Sequence, residues 1–324
     1  MAEQRYNPRR MLGLRIRSLA SRNNRGSPMH RFSGVLVIGI LGVCASPAVP
    51  RNAETLPDFS GFWSRAVFGL EFPESGPGPT RNLARKPDGT SNQSKAVGDY
   101  NNPNLTPEAA RLIKRRSEVT ARGEDYANPS NHCLPMVAPY IFRVQGMEML
   151  QRKDEVLILY MQDHQVRHVR LNGQHPARVT PTWHGDSIGH YEGDTLVIDT
   201  VGVVAGDAAV LDQFGTPFSG ALHVVERYRM VDYADARVAQ DRALREYGPP
   251  ATEQGAIVDR NYNGKGLQVR FTVEDKNMFI MPWSGLATYL HAAGEWVENV
   301  CAENIHEYYA AKDTEVPQAL KPDF

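Results

Sequence analysis

Several absences bound this 324-residue sequence before any motif is read. Excess charge of one sign is missing: 36 Lys and Arg face 37 Asp and Glu, for a formal net charge of -1. No field gathers phosphate backbones, so nucleic acid is not an expected partner. Long apolar runs are also missing. The run from Gly34 to Val43 spans about ten residues, where a bilayer-crossing helix needs about 20. Metal-binding spacings of the H-x-H or H-E-x-x-H type do not occur, so no specific metal site is expected. Cysteine is scarce, with three in all. Internal repeats are lacking too.

What is present begins with charge in one place. Arg5, Arg9, Arg10, Arg15, Arg17, Arg22, Arg25 and Arg31 precede the apolar run, and small residues such as Ser46 and Ala48 follow it. That order is an export signal, expected over residues 1–48, and it implies a periplasmic or secreted protein with no integral membrane segment after signal removal. Met29 opens a compact signal by itself, so residues 1–28 stand upstream of the expected true start; a twin-arginine signal at Arg9 and Arg10 is the alternative. Cys44 half-matches a lipoprotein acceptor, but Val43 before it is the wrong size. Removal of the signal leaves Cys133 and Cys301, which in an oxidising compartment read as a disulfide rather than free thiols or metal ligands.

With 41% hydrophobic residues the chain can bury a sizeable core. Residues 49–130 read as an extended segment and a helix. Gly, Pro, Asn and Ser dominate from Pro73 to Asn104, and Thr106-Pro107-Glu108 then supplies an N-cap, a first-turn proline and an acidic first turn for a helix over 107–121. Residues 131–324 read as a β-rich, ligand-enclosing domain. Val156 to Met161, Val166 to Leu171, Thr195 to Val201, Leu222 to Val231 and Leu267 to Val273 are strands by pattern, with Tyr140 to Met149 a weaker one. Asn172-Gly173 is a hairpin signal, and Glu192-Gly193-Asp194 marks a second turn. An insertion over 232–264 begins with a helix that Gly248-Pro249-Pro250 stops; it is either a lid or a decoration. Turns, not crossover helices, separate the strands. The fold class is therefore mostly β, an antiparallel barrel or strongly curved sheet with a few peripheral helices.

Candidate residues fall in two groups. His184, Asp186, His190 and Glu192 share a parity within nine residues, so an extended backbone would put them on one face, where they could perform acid and base steps. His223 joins His184, Asp186 and Glu192 as a candidate catalytic residue. Gly185-Asp186-Ser187-Ile188-Gly189 matches a hydrolase elbow, but a strand rather than a helix follows the serine, the wrong context. In the second group, Glu226 lies on the apolar face of its strand with Val224 and Tyr228. A buried carboxylate needs a partner, and Arg167 is the obvious one. Trp183 and Trp283 are candidate ligand-stacking residues, the alternative being core plugs.

Pro57-Asp58-Phe59-Ser60-Gly61-Phe62-Trp63, Cys133-Leu134-Pro135, Trp183 to Gly189, Glu192 to Val197 and Leu222 to Tyr228 together resemble a large family of uncharacterised exported bacterial proteins. The resemblance spans most of the chain and carries no activity with it. Two departures stand out: the 232–264 insertion is longer than the tight hairpin expected there, and His190 replaces an expected aromatic residue. The leading expectation is an extracytoplasmic β-barrel that binds a small, partly apolar molecule through Arg167, Glu226, Trp183 and Trp283. The alternative is an enzyme, a lyase, isomerase or hydrolase, using the same pocket.

Overall fold

In the computed structural model, which describes residues 56–143, 146–248, 257–259 and 261–301, ten strands are found among those residues. They are β1 (Phe62–Ser64), β2 (Met147–Gln151), β3 (Glu155–Tyr160), β4 (Gln165–Leu171), β5 (Asp186–Glu192), β6 (Thr195–Val201), β7 (His223–Val231), β8 (Ile257–Val258), β9 (Gly266–Glu274) and β10 (Trp283–Ala293). They pair in the order β1-β2-β3-β4-β5-β6-β7-β9-β10, and β1 pairs with β10 to close a nine-stranded barrel, while β8 adds to the end of β10. Mostly β with peripheral helices is thus the observed class.

Alternation does the folding. Val156, Ile158 and Tyr160 of β3, Leu196 and Ile198 of β6, Val224 and Tyr228 of β7, and Leu267, Val269, Phe271 and Val273 of β9 point inward and are almost fully buried. One contiguous core fills the barrel. Gly193 takes φ 58° between β5 and β6, the left-handed conformation that a tight hairpin turn requires. The leader region, with Met29 and Cys44, lies outside the described residues.

Among the described residues, two α-helices flank the barrel. In α1 (Pro107–Ala121) the Thr106 side chain accepts from the Ala109 N–H and proline occupies the first turn, as the sequence predicts. The second, α2 (Tyr233–Tyr247), ends at Gly248, whose φ is 72°, and buries Ala236, Ala239, Gln240, Ala243 and Tyr247. Ala236 packs with Val231 and Leu290 outside the barrel wall.

Three expectations need correction. All neighbours pair antiparallel except β4 and β5, which run parallel through Arg170↔Ile188 and Leu171↔Gly189. Asn172-Gly173 therefore opens a long connection over 172–185 rather than a hairpin, although Asn172 does take the turn-like φ of 55°. Tyr140–Arg143 is a 3₁₀ turn, with β2 starting at Met147; the buried Tyr140, Ile141 and Phe142 make an apolar run that looks like a strand without being one. Finally, β10 is an 11-residue strand that its small inward residues Gly285 and Ala287 conceal. Cys133 and Cys301 sit at disulfide distance, with Cα atoms 5.4 Å apart.

Candidate functional site

Inside the barrel, Arg167 of β4 and Glu226 of β7 meet across the lumen at 2% and 0% side-chain exposure. The guanidinium grips the carboxylate with two nitrogens, Nη1 to Oε2 at 2.9 Å and Nη2 to Oε1 at 2.7 Å. Arg167 Nε also donates to Ser187 Oγ at 3.1 Å, and Nη2 donates to Thr200 Oγ1 at 2.6 Å. The Tyr228 hydroxyl donates to Glu226 Oε2 at 2.7 Å. Burial, the largest single influence, would lower the Arg167 pKa, but the Glu226 carboxylate together with the Tyr160 and Tyr228 hydroxyls outweighs it, so the shift is upward. Burial pushes the neighbouring Tyr160 hydroxyl up to about 12. Ser187, the serine of the elbow-like motif, is a buried member of this network and no exposed nucleophile.

A second buried pair escaped the sequence reading. Arg65 Nη2 lies 3.0 Å from Glu71 Oε1 and Arg65 Nη1 donates to the Phe142 carbonyl at 2.7 Å. Glu71 in turn accepts from the Thr288 N–H and hydroxyl at 2.7 and 2.8 Å. Nothing in the local pattern marks Arg65 as buried, because β1 is three residues long and has no alternation to read.

On the outer wall the structure brings Asp186 and His223 into one cluster, through two residues that sequence reasoning missed. His175, from the 172–185 connection, directs Nδ1 to Asp186 Oδ2 at 2.6 Å and Nε2 to Asp199 Oδ1 at 2.9 Å. His223 Nε2 faces both oxygens of Asp199 at 3.1 and 3.0 Å, and its Nδ1 lies 3.6 Å from Glu274 Oε2. Arg170 completes the group with two bonds to Asp186, at 2.6 and 3.0 Å. The bond from His223, aided by His175, holds the Asp199 carboxyl below its ordinary range. Arg170 first and His175 second do the same for Asp186. The Asp199 bond raises His223. Asp199 sits on the outward side of β6, so period-2 reading of Thr195 to Val201 could have placed it beside Asp186.

The other candidates lie elsewhere. Glu192, at the far end of β5, binds Arg227 Nη1 at 2.7 Å and His190 Nε2 at 3.0 Å. Asp186, His190 and Glu192 do share the outer face of β5, where only the Asp186 end reaches the His175 cluster. His184 precedes β5, separated from it by Gly185 at φ 68°. Burial and the nearby Arg167 charge lower its pKa to about 4. Trp183 is half-buried beside it. Trp283 is buried in the core, edge-on to Phe271 and Phe279 with ring centroids 5.9 Å apart in each case. Among the described residues, no group of three or more His, Cys, Asp and Glu could hold a metal ion, and no helix is long and apolar enough to cross a membrane.

Room for a small molecule lies outside the wall, beside α2. A cleft of about 230 Å³ is lined by Glu71, Phe72, Arg242, Ala243, Arg245, Glu246 and Tyr247. Phe72, Ala243 and Tyr247 give it an apolar floor. Both carboxylates are already neutralised, Glu71 by Arg65 at 3.0 Å and Glu246 by Arg85 at 2.7 Å. Arg242 and Arg245, by contrast, have no side-chain partner among the described residues. Among the described residues, the cleft therefore carries two positive charges with no side-chain counter-ion, above apolar walls. A second hollow of about 250 Å³ lies against Phe72 and the Pro73–Pro79 turn, with Arg81, Asp99 and Asn102; Arg81 is spent there, stacked 3.9 Å over the Phe72 ring. No family model, no curated protein and no solved structure matches this chain.

Proposed function

We propose that this chain is an extracytoplasmic binding protein, a member of the exported family it resembles, whose ligand is a small, partly apolar anion held in the cleft beside α2. The observation that carries the reading is the pair Arg242 and Arg245 on a cleft whose two acids are neutralised by other arginines. A guanidinium fork matches a carboxylate with two parallel bonds. An apolar cavity of roughly 150 Å³ holds benzene, so about 230 Å³ suits a molecule the size of benzoate or a short-chain fatty acid. The α2 insertion then forms a wall of the site.

Binding is preferred to catalysis for a geometric reason. Acid and base groups must reach one substrate position, about 3 Å away or one water further. His184, Glu192 and the Asp186–His223 cluster occupy three separate places, and in the cluster both His175 nitrogens already face carboxylates. Arg167 and Glu226 have spent their bonding capacity on each other and their neighbours, which supports a structural role for that pair.

Isothermal titration of the purified protein with benzoate and hexanoate, against benzyl alcohol and hexanol, tests the reading. Saturable one-to-one binding of the acids is expected, weakened at least tenfold in the Arg242→Ala, Arg245→Ala double variant. Absence of saturable binding, or an unchanged affinity in the double variant, would overturn it.

A further inference from the structure

The connection between β4 and β5 crosses the outer face of β5 and β6 and ends beside the chain that leaves β6, where Thr182 bridges to Val203. It starts with the Asn172 N–H donating to the Gly189 carbonyl at 2.7 Å, and Arg170 Nη2 reaches the Gln174 carbonyl at 3.3 Å. It ends with Thr182, whose N–H donates to Gly202 at 3.1 Å and whose carbonyl accepts from Val204 at 2.9 Å. Between Gln174 and Thr182, among the described residues, the one side chain hydrogen-bonded to the barrel is His175. Its end carries Trp183 and His184, and His184 lies within the field of Arg167 in the lumen.

We propose that residues 172–185 are a strap across the outer face of β5 and β6, held by two bonds from His175 while that ring and its neighbour His223 carry their protons, and held more loosely, by one, when they lose them. The hydrogen-bond inventory drives the inference. An ionised carboxylate only accepts, so a ring with each nitrogen on a different carboxylate satisfies both contacts only as the doubly protonated imidazolium. His175 is in that position, between Asp186 of β5 and Asp199 of β6. Among the described residues, the charged groups in ion-pair contact with the two rings are Asp186, Asp199 and, from β9, Glu274, with Arg170 of β4 on the far side of Asp186. Protonated, the cluster balances three cations against three anions. Deprotonation of both rings leaves three carboxylates around one arginine, and leaves His175 with one N–H in place of two, so that it can donate to Asp186 or to Asp199 but not to both. Exposed ion pairs contribute little because water screens them; His175 and Asp186 are only 22% and 17% exposed, which places this contact above that class.

His223 reaches the strap only through Asp199, the partner it shares with His175, and that carboxylate raises its pKa. A group raised on folding contributes below its unfolded value and loses that contribution as pH climbs through the folded one. The two-bond bridge of His175 needs the doubly protonated ring and so runs in the same direction, and the strap is held more tightly in mildly acidic medium than in alkaline medium.

Hydrogen exchange of the full chain, read by mass spectrometry on peptides spanning 172–185 and corrected for intrinsic rates, tests this at pH 6 and pH 8.5. The expected result is at least a tenfold rise in corrected exchange of the strap at pH 8.5, with β6 and β7 peptides unchanged. The His175→Gln variant should exchange at pH 6 as the wild type does at pH 8.5. Equal strap protection at the two pH values in the wild type, or a variant indistinguishable from the wild type at pH 6, would overturn the proposal. If His175→Gln loses protection throughout β6 and β7, it has unfolded, and the wild-type pH comparison decides alone.

Discussion

Removing Glu226 alone should be among the most damaging single changes available in this protein. Glu226→Leu strands the Arg167 guanidinium in a site with 2% exposure, where Ser187 and Thr200 can accept bonds but cannot neutralise charge. Breaking a buried pair by removing one partner costs about 3–5 kcal/mol, because an unpaired charge is left in a medium of low dielectric. Tyr228 would lose its acceptor as well, which argues for the upper part of that range. For a domain of this size roughly 2–4 °C of melting temperature accompanies each kcal/mol, so a fall of about 6–20 °C is expected. Arg167→Met should cost a similar amount by stranding the carboxylate. The double variant Arg167→Met, Glu226→Leu removes both charges while keeping volume, and should recover most of the loss. Urea unfolding of the four proteins, with constant slope as the check on two-state behaviour, yields the coupling energy. Single losses under about 1 kcal/mol, or a double variant as unstable as the sum of the singles, would refute the claim that this pair is desolvated and mutually dependent.

Two further outcomes follow from the same geometry. With Cys133 and Cys301 at disulfide distance across a separation of 168 residues, thiol titration of the unfolded, unreduced mature protein should find none, and two would contradict the bond; reduction should remove up to about 5 kcal/mol in the chain-entropy account. His184, lowered to about 4 by burial and Arg167, should remain neutral in an NMR titration down to pH 5. Because its unfolded value is about 6.5, the unfolded chain takes up that proton first, and this residue erodes stability as pH falls from 6.5 toward 4. A midpoint near 6.5 would show that the ring reaches solvent.

Strand alternation and the logic of buried charge were both readable in the sequence, and they account for what it revealed. In β7, Glu226 falls on the same parity as Val224 and Tyr228, so its inward direction and its need for a cation follow from the pattern. Cap residues Thr106 and Gly248 likewise mark where the helices begin and end. Strand direction is another matter, since a parallel and an antiparallel neighbour impose the same alternation on β5. The β4–β5 connection was therefore misread as a hairpin. His175 was hidden for a related reason: its role depends on a fourteen-residue connection folding back across two strands, and nothing in Gln174-His175-Pro176 records that path. Arg242 and Arg245 look like any solvated helix face until Glu71 and Glu246 are seen to be neutralised by other arginines.

The central claim is that ligand binds outside the barrel wall, beside α2, and not in the lumen. Backbone and methyl chemical-shift mapping of the isotope-labelled protein during titration with benzoate measures that directly. The account predicts that the largest shifts fall on Phe72, Arg242, Ala243, Arg245 and Tyr247, with Arg167, Glu226 and Tyr228 unmoved. Saturable shifts centred on Arg167, Thr200 and Tyr228, with the α2 cleft silent, would contradict it.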